Sequence, residues 1–224
     1  MKYKAIIFDF DNTISNTSDG VSELLTWSIN QVLDKSKYIS FDHVRNQLNQ
    51  YSTFEDCLAC IASSLEVDKN AVLAIYRSNS ERVKYGPCGG FVDFFKYIKQ
   101  LTPDIKCVLV TNRVNLLDLR LNDCGLSKKD FDFVIQPSNV SESKPSSFMM
   151  NEVMEFLSKY NIDSKDVLSI GDNTVDYQSG LELGVEFNAV LGGASSLDDF
   201  LKAGVSKKIV FKSLLEILDV LKKN

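Results

Sequence analysis

The sequence predicts an α/β fold, a doubly wound parallel sheet that carries an inserted helical domain. Continuous apolar runs at 5–8, 107–110 and 167–171 have the length and composition of strands that are buried on both faces. From Phe91 onward, apolar runs alternate with segments of helical periodicity. This alternation is typical of βαβ units, which form a parallel sheet with helices on both sides.

A long helical insert is expected after the first strand. Residues 18–85 are predicted to be helical throughout, because apolar residues recur at helical spacing and no glycine or proline occurs between Val21 and Tyr85. The stretch from Tyr85 to Gly90 then breaks the pattern with glycine and proline. We therefore predict a helical cap at residues 17–86, inserted into a core made of residues 1–16 and 87–224.

The core elements follow in regular order after the insert. The first is a helix from Phe91 to Leu101, which leads into the strand that ends at Thr111. The remaining predicted helices cover the segment up to Cys124, 145–160, the segment up to about 183, 196–203 and 213–221, and the remaining strands cover 131–135, 167–171, 185–191 and 208–211.

Composition narrows the classes of partner. The net charge of the 224 residues is -5, and acids and bases are interspersed, so neither a nucleic-acid-binding stripe nor a polybasic membrane patch is predicted. No apolar stretch approaches the roughly 18 residues of a membrane span or signal. We expect a cytoplasmic monomer or homodimer that binds a small molecule.

The cysteines are expected to be reduced thiols. There are five, an odd number at irregular spacings, which argues against a disulfide framework. Cys57 and Cys60 form a CxxC pair that could mark redox chemistry or half a zinc site. No second pair follows, and the only histidine, His43, lies on a different predicted helix.

Acidic side chains follow two predicted strands. Asp9 and Asp11 stand two residues apart at a strand end, so the pleat directs both to one side. Taken singly, Asp172 could cap a helix and Asp176 could be a first-turn acid. Because the carboxyl ends of parallel strands meet at one edge, all four would face one crevice, where their repulsion favours a divalent cation such as Mg²⁺.

Phosphate-binding groups follow two further segments. Thr111 and Asn112 end the strand 107–110, and Lys144 precedes Pro145 at a predicted helix start. A hydroxyl, main-chain amides and an ammonium complement phosphate oxygens, and a helix N-terminus adds an anion site. Taken alone, Thr111 would more often be an ordinary residue at a strand end, and Lys144 would more often be a solvated side chain. Because both occur in order along a chain that also carries the four acids, phosphate chemistry is favoured.

In these residues the chain resembles the haloacid dehalogenase-like (HAD) superfamily of phosphohydrolases, over essentially its whole length. The helical insert is similar to that family's C1 cap, and residues 108–113 resemble its phosphoglycolate phosphatase-like branch. The four motifs of the superfamily match, in order, Asp9-x-Asp11-x-Thr13, Thr111, Lys144-Pro145 and Gly171-Asp172-x-x-x-Asp176.

The resemblance implies a Mg²⁺-dependent phosphatase that acts on a small phosphate ester, with phosphoglycolate as the first candidate. Asp9 would be the nucleophile that forms an aspartyl-phosphate, and Asp11 would act first as acid and then as base. Mg²⁺ would be held by the carboxylates of Asp9 and Asp172 and the main-chain carbonyl of Asp11, with Asp176 in or near the layer behind them. The phosphoryl group would be held by Thr111, Asn112 and Lys144.

The sequence departs from the family pattern at two places. Most relatives have glycine after the second aspartate, where this chain has Asn12, the residue other than glycine that best tolerates positive φ. Residues 46–53 lack the glycine that relatives often carry in the substrate-specificity loop. Arg45, Arg77 and Arg82 of the cap could meet a substrate carboxylate or second phosphate.

Other functions remain open at this point. A phosphomutase of the same family would pass the phosphoryl group to a sugar hydroxyl instead of water, and a catalytically silent phosphate-binding protein would use the same fold. A dehalogenase would not need Asp11 to protonate an alkoxide. A signalling receiver domain shares the acids, Thr and Lys, but it lacks a helical insert of this size.

Overall fold

The computed structural model describes residues 2–48, 50 and 54–223. The chain divides into two compact units, one made of residues 1–16 and 87–224 and the other of residues 17–86. Within the described ranges, no helix combines the length and apolarity needed to cross a bilayer. All five cysteines are free thiols, which confirms the prediction made from their spacing.

The first unit is built on a parallel sheet of six strands, which confirms the predicted fold class. The sheet has the order β3-β2-β1-β4-β5-β6, and every neighbouring pair is parallel. The chain winds outward from β1 in one direction and from β4 in the other, so the order reverses between these two strands. The strands are β1 (Ala5–Phe8), β2 (Lys106–Val110), β3 (Phe133–Ile135), β4 (Val167–Gly171), β5 (Glu186–Val190) and β6 (Val210–Phe211).

The described residues of the second unit form four helices, α1 (Thr17–Val32), α2 (Phe41–Leu48), α3 (Phe54–Leu65) and α4 (Lys69–Ser78). The prediction of helix throughout 18–85 is therefore wrong for the connections 33–40 and 66–68 and for residues 79–85. One break comes at Glu66, which has a φ of 56°, and Asp68 then caps α4 by accepting from the amide of Asn70. Helix α4 is thus bounded by the polar residues Asp68 and Asn79, without glycine or proline.

Helices cover both faces of the sheet. They are α5 (Phe91–Leu101), α6 (Leu117–Asp123), α7 (Phe148–Ser158), α8 (Thr174–Leu181), α9 (Leu197–Lys202) and α10 (Leu214–Lys223). Alternate residues of β1 enter two separate cores. Phe8 meets the rings of Phe91 and Phe94 edge-on, with centroids 5.9 Å apart in both pairs, while Ile7 faces the cluster that contains Met149 of α7.

Several core elements begin later than predicted. Helix α7 begins at Phe148 and not at residue 145, so Lys144 is not at a helix start. Helix α6 begins at Leu117, and residues 112–116 form a loop, because Asn112 and Arg113 make tertiary hydrogen bonds. Strands β3 and β6 each start two residues late. A short 3-10 turn at Lys207–Ile209 includes the first two residues predicted for β6, whereas a turn at Lys128–Asp130 and a bend at residues 131–132 precede β3.

Candidate active site

The predicted site residues lie at the point where the strand order reverses. Strand β1 pairs with β2 on one side and β4 on the other, so Asp9, Thr111 and Asp172, which follow the last residues of these strands, are brought to one edge of the sheet. A doubly wound sheet has its ligand crevice at this reversal. A pocket of about 130 Å³ lies there, and its lining includes Asp9, Asp11, Asn112, Lys144, Asp172 and Asp176.

Lys144 is buried at the centre of this group. Its Nζ donates hydrogen bonds to Oδ1 of Asp9 at 2.5 Å, to Oδ1 of Asp176 at 2.6 Å and to the carbonyl oxygen of Val110 at 3.0 Å. An ammonium group has three protons, so each of them is committed. Lys144 therefore joins the ends of β1, β2 and α8 without the helix N-terminus that the sequence predicted.

Asn112 fixes the backbone of Lys144. Its Oδ1 accepts from the amide of Lys144 at 2.8 Å, and its Nδ2 donates to the carbonyl oxygen of the same residue at 3.1 Å. The structure thus uses the Asn112 amide to hold the lysine loop. Thr111 is fully buried, and its Oγ1 accepts from the amide of Arg113 at 3.1 Å.

Three buried carboxylates form one cluster. One oxygen from each of Asp9, Asp172 and Asp176 lies within 4.8 Å of the other two, a spacing that allows a single ion to contact all three. The family resemblance implies that Asp176 lies in or near the layer behind the ligands, and its carboxylate belongs to this cluster. The carboxylate of Asp11 is bound elsewhere, to Arg113.

The electrostatics of the cluster favour an added cation. Burial, above all, raises the pKa of Asp9 well above its usual value, and neighbouring carboxylates add to this effect while Lys144 opposes it. Burial also raises the pKa of Asp172 to about 7, with repulsion from Asp176 contributing. Burial alone would lower the pKa of Lys144, yet attraction to Asp176 and Asp9 raises it. One ammonium faces three carboxylates, so the donor set fits a hard divalent ion.

Main-chain amides orient two of these acids. Oδ2 of Asp172 accepts from the amide of Ala194 at 2.7 Å, in the loop after β5. Asn173 and Asp176 form a capping box at the start of α8, in which Oδ2 of Asp176 accepts from the amide of Asn173 at 3.0 Å. Asp176 is therefore both a helix-capping residue and a partner of Lys144.

The turn after Asp9 has the conformation expected for its sequence. Asn12 has a φ of 58°, which confirms that it replaces the glycine of most relatives without loss of the turn. Its amide donates to the carbonyl oxygen of Ser15 at 2.7 Å. The side chain of Asp11 then lies against Arg113, a residue for which the sequence predicted no role.

Arg113 could have been suspected only from its position two residues after Thr111, in a loop that borders the end of β1.

The three arginines that could meet a substrate, Arg45, Arg77 and Arg82, belong to the helical unit. Arg45 pairs with Asp19 at 3.0 Å, and the guanidinium of Arg82 lies 4.1 Å from the ring centre of Trp27. Arg77 stands in the last turn of α4. Residues 49 and 51–53 of the predicted specificity loop lie outside the described residues.

Solved structures with the same fold align with nearly the whole chain. A protein assigned as a beta-phosphoglucomutase, from Thermotoga maritima, has a TM-score of 0.73 at 20% identity, covering 98% of this chain and 99% of its own. A protein assigned as a phosphoglycolate phosphatase, from Lactobacillus delbrueckii subsp. bulgaricus, has a TM-score of 0.64 at 22% identity and covers 97% of both chains.

A third structure, an HAD family hydrolase from Deinococcus radiodurans with bound phosphate and sodium, has a TM-score of 0.77 at 15% identity and covers 99% of this chain and 96% of its own. At these identities the likeness shows the fold. A comparison with curated protein sequences gives no match.

The family model described as haloacid dehalogenase-like hydrolase matches residues 6–190. Because this match spans most of the sequence and includes every predicted site residue, the chain belongs to the haloacid dehalogenase-like hydrolase family.

Proposed function

We propose that the protein is a magnesium-dependent phosphatase that hydrolyses a small phosphate ester through an aspartyl-phosphate. The observation that best supports this is the environment of Asp9. Its carboxylate is buried where the strand order reverses and accepts a hydrogen bond from Lys144. Together with the carboxylates of Asp172 and Asp176 it forms a cluster whose spacing allows one ion to contact all three. A carboxylate so placed can face a phosphoryl group while a cation screens its charge.

The cluster supports the choice of Mg²⁺. Asp9 and Asp172 would hold the ion with the main-chain carbonyl of Asp11, as the family resemblance implies, and Asp176 lies close enough to contribute. When bound, Mg²⁺ would neutralise the carboxylates and phosphate oxygens that meet in this site. Hard oxygen ligands are what this ion requires.

Asp9 would attack phosphorus. Lys144 binds Oδ1 of Asp9 and so leaves Oδ2 as the oxygen that forms the new bond. The protonated leaving alcohol would then depart, and water would attack the aspartyl-phosphate in a second step. Splitting the reaction in this way replaces one difficult displacement by two easier ones.

Asp11 would supply and remove the protons. It lines the same pocket as Asp9, two residues further along the chain, and its side chain keeps 32% of its surface exposed. A carboxyl group at that place can protonate the leaving oxygen in the first step and take a proton from water in the second.

The phosphoryl oxygens would be held by groups around Lys144. The ammonium of Lys144 supplies positive charge, and the loop that starts with Thr111 and Asn112 borders the same pocket. Since the amide of Asn112 binds the backbone of Lys144, we assign it chiefly to positioning that lysine. A phosphate contact from Thr111 would require a rearrangement, because its side chain is fully buried.

The substrate is proposed from the family branch. Phosphoglycolate is the first candidate, since the segment 108–113 resembles that branch and one structural neighbour is assigned as a phosphoglycolate phosphatase. Residues 17–86 would act as a cap that selects the substrate. A cytoplasmic location and a monomeric or homodimeric state remain predictions.

A phosphomutase is the alternative within the family, and one structural neighbour is assigned as a beta-phosphoglucomutase. The two activities differ in whether water or a sugar hydroxyl accepts the phosphoryl group. The same residues serve both reactions, so the acceptor decides between them. Release of inorganic phosphate from a monophosphate marks the phosphatase.

The test is a panel of phosphate esters that includes phosphoglycolate, sugar phosphates, nucleotides and pyrophosphate, assayed with Mg²⁺ or with excess chelator. Wild type is compared with Asp9→Asn and with Asp118→Asn, an exposed aspartate of the same unit, as the matched control. We expect phosphate release that needs both Asp9 and the metal. Phosphate release by Asp9→Asn at the wild-type rate would refute the proposal. Interconversion of sugar phosphates without phosphate release would favour the mutase.

A further inference from the structure

Arg113 holds the side chain of Asp11 through a forked contact. Its Nε donates to Oδ1 and Oδ2 of Asp11 at 3.0 and 3.2 Å, and its Nη2 donates to Oδ1 at 2.5 Å. Oδ1 therefore accepts two of these hydrogen bonds, and Oδ2 accepts only the longest. Since Asp11 still lines the pocket, the contact sets the direction of its carboxyl group without removing it from the site.

Arg113 is itself fixed from three sides. Its amide donates to Oγ1 of Thr111 at 3.1 Å, its carbonyl oxygen accepts from Nε2 of Gln136 at 2.5 Å, and its guanidinium lies 5.7 Å from the ring centre of Phe10. Phe10, which stands between Asp9 and Asp11 in the sequence, is fully buried. The two hydrogen bonds fix the main chain of Arg113, and the ring of Phe10 borders its guanidinium. Fixing the main chain lowers the entropic cost at which the side chain orients a partner.

We propose that Arg113 is the positioning residue for proton transfer by Asp11; this inference rests on the proposed function. In the first step a bond forms between Asp9 and phosphorus, the bond from phosphorus to the ester oxygen breaks, and that oxygen takes the proton from Asp11. Because Oδ2 accepts only the longest of the three hydrogen bonds from Arg113, Oδ2 would be the oxygen that carries the proton to the ester oxygen. Without the guanidinium, the carboxyl group loses this fixed orientation and transfers its proton less often.

This role makes the effect of Arg113 depend on the leaving group. An alkoxide is a poor leaving group and needs the proton of Asp11, whereas p-nitrophenolate leaves without one. A general structural role would instead slow both classes of ester equally. The ratio of kcat/KM for the two classes therefore reports on positioning, because kcat/KM covers the steps up to loss of the leaving group.

The experiment measures kcat/KM of the Mg²⁺-loaded enzyme with p-nitrophenyl phosphate and with the best alkyl phosphate of the panel. For Arg113→Ala we expect a loss of about 10- to 100-fold with the alkyl ester and less than about threefold with the aryl ester. Arg113→Lys should restore part of the loss, because lysine keeps the charge but not the fork. Lys128→Ala, which removes an exposed cation of the same unit, is the control and should change neither value.

A double-mutant comparison completes the test. On top of Asp11→Asn, Arg113→Ala should cause no further loss with the alkyl ester, since both changes remove one function. Equal losses with both esters, or losses that multiply in the double variant, would overturn the inference. If thermal unfolding shows that Arg113→Ala does not fold, Arg113→Gln replaces it in the same comparison.

Asp9→Asn separates this inference from the proposed function. If Asp9→Asn hydrolyses either ester as wild type does, or wild type hydrolyses none, the proposed function fails and the inference with it. If Asp9→Asn is inactive while Arg113→Ala affects both esters equally, only the role of Arg113 is refuted.

Discussion

Gly193 lies so close to the carboxylate of Asp172 that no side chain fits between them. A Cβ built on Gly193 would overlap both the carboxylate and the Cβ of Asp172, closer than van der Waals contact allows. The next residue, Ala194, donates its amide to Oδ2 of Asp172 at 2.7 Å. The loop after β5 therefore holds this acid by close approach and by a hydrogen bond.

Gly193→Ala should displace Asp172 and weaken the metal site. The side chain of Asp172 is short and buried, so it has no flexible end that could move aside to remove the overlap. We therefore expect a loss of about 10- to 100-fold in Mg²⁺ affinity. The measurement is a Mg²⁺ titration of thermal stability. Gly89→Ala is the matched control, since a Cβ there meets open space. Equal Mg²⁺ affinity in the two variants would contradict the role of Gly193.

Mg²⁺ should stabilise the protein more at about pH 8 than at about pH 5. The pKa of Asp172 is raised from 3.8 to about 7 in the metal-free fold. Between these values the folded protein keeps a proton that the unfolded chain has released, so this group makes the metal-free protein less stable as pH rises. Mg²⁺ needs the ionised carboxylate, so its apparent affinity rises towards pH 7.

Thermal unfolding with and without Mg²⁺ across this range measures the effect. The difference in Tm should grow as pH rises to about 7, where Asp172 ionises, and ionisation of Asp9, whose pKa is also raised, adds to the increase. In Asp172→Asn the part of this pH dependence that comes from Asp172 should disappear. A wild-type difference that is constant with pH would show that Asp172 does not control metal binding.

Asn112→Ala should lower kcat by up to about 100-fold, because it releases the loop that carries Lys144 and displaces the ammonium from Asp9. Asn112→Asp should lie between this variant and wild type, since its carboxylate can accept from the amide of Lys144 but cannot donate to its carbonyl. Asn115→Ala, at an exposed position of the same loop, is the control. An unchanged kcat in Asn112→Ala would refute the positioning role.

Thr13 and Thr111 should respond differently to replacement by valine. Both are fully buried, but in the described structure Oγ1 of Thr13 has no hydrogen-bond partner, whereas Oγ1 of Thr111 accepts from the amide of Arg113. Thr13→Val should leave the free energy of unfolding unchanged or raise it by about 1 kcal/mol, and Thr111→Val should lower it by about 1 kcal/mol or more. Chemical denaturation measures both values. Equal destabilisation would mean that the Thr13 hydroxyl is bound.

Much of the fold follows from local sequence patterns. The runs 5–8 and 167–171 are apolar at every position except Ser169 and the terminal Gly171, because both faces of these strands are covered, and the strands were predicted with correct bounds. The start of α7 was wrong, because Lys144 and Pro145 precede the helix in a loop that Asn112 holds through the lysine backbone. A contact between residues 32 positions apart leaves no periodic pattern.

Apart from Lys144, the site residues predicted from the sequence follow the ends of strands. Asp9, Asp172 and Asp176 could be grouped because parallel strands end at one edge, and the structure brings their carboxylates together. The contact from Arg113 to Asp11 depends on the path of the loop after β2, which the sequence does not show. The support of Asp172 by the loop after β5 is a tertiary contact of the same kind.

The decisive experiment is to find where the phosphoryl group is attached during turnover. The enzyme is mixed with Mg²⁺ and ³²P-labelled acetyl phosphate, quenched in acid, digested and analysed by mass spectrometry. Asp11→Asn should accumulate more label than wild type, because the second step needs a base. We expect label on Asp9 and none in Asp9→Asn. Label on another residue, or turnover of the substrate without any labelled protein, would contradict this expectation.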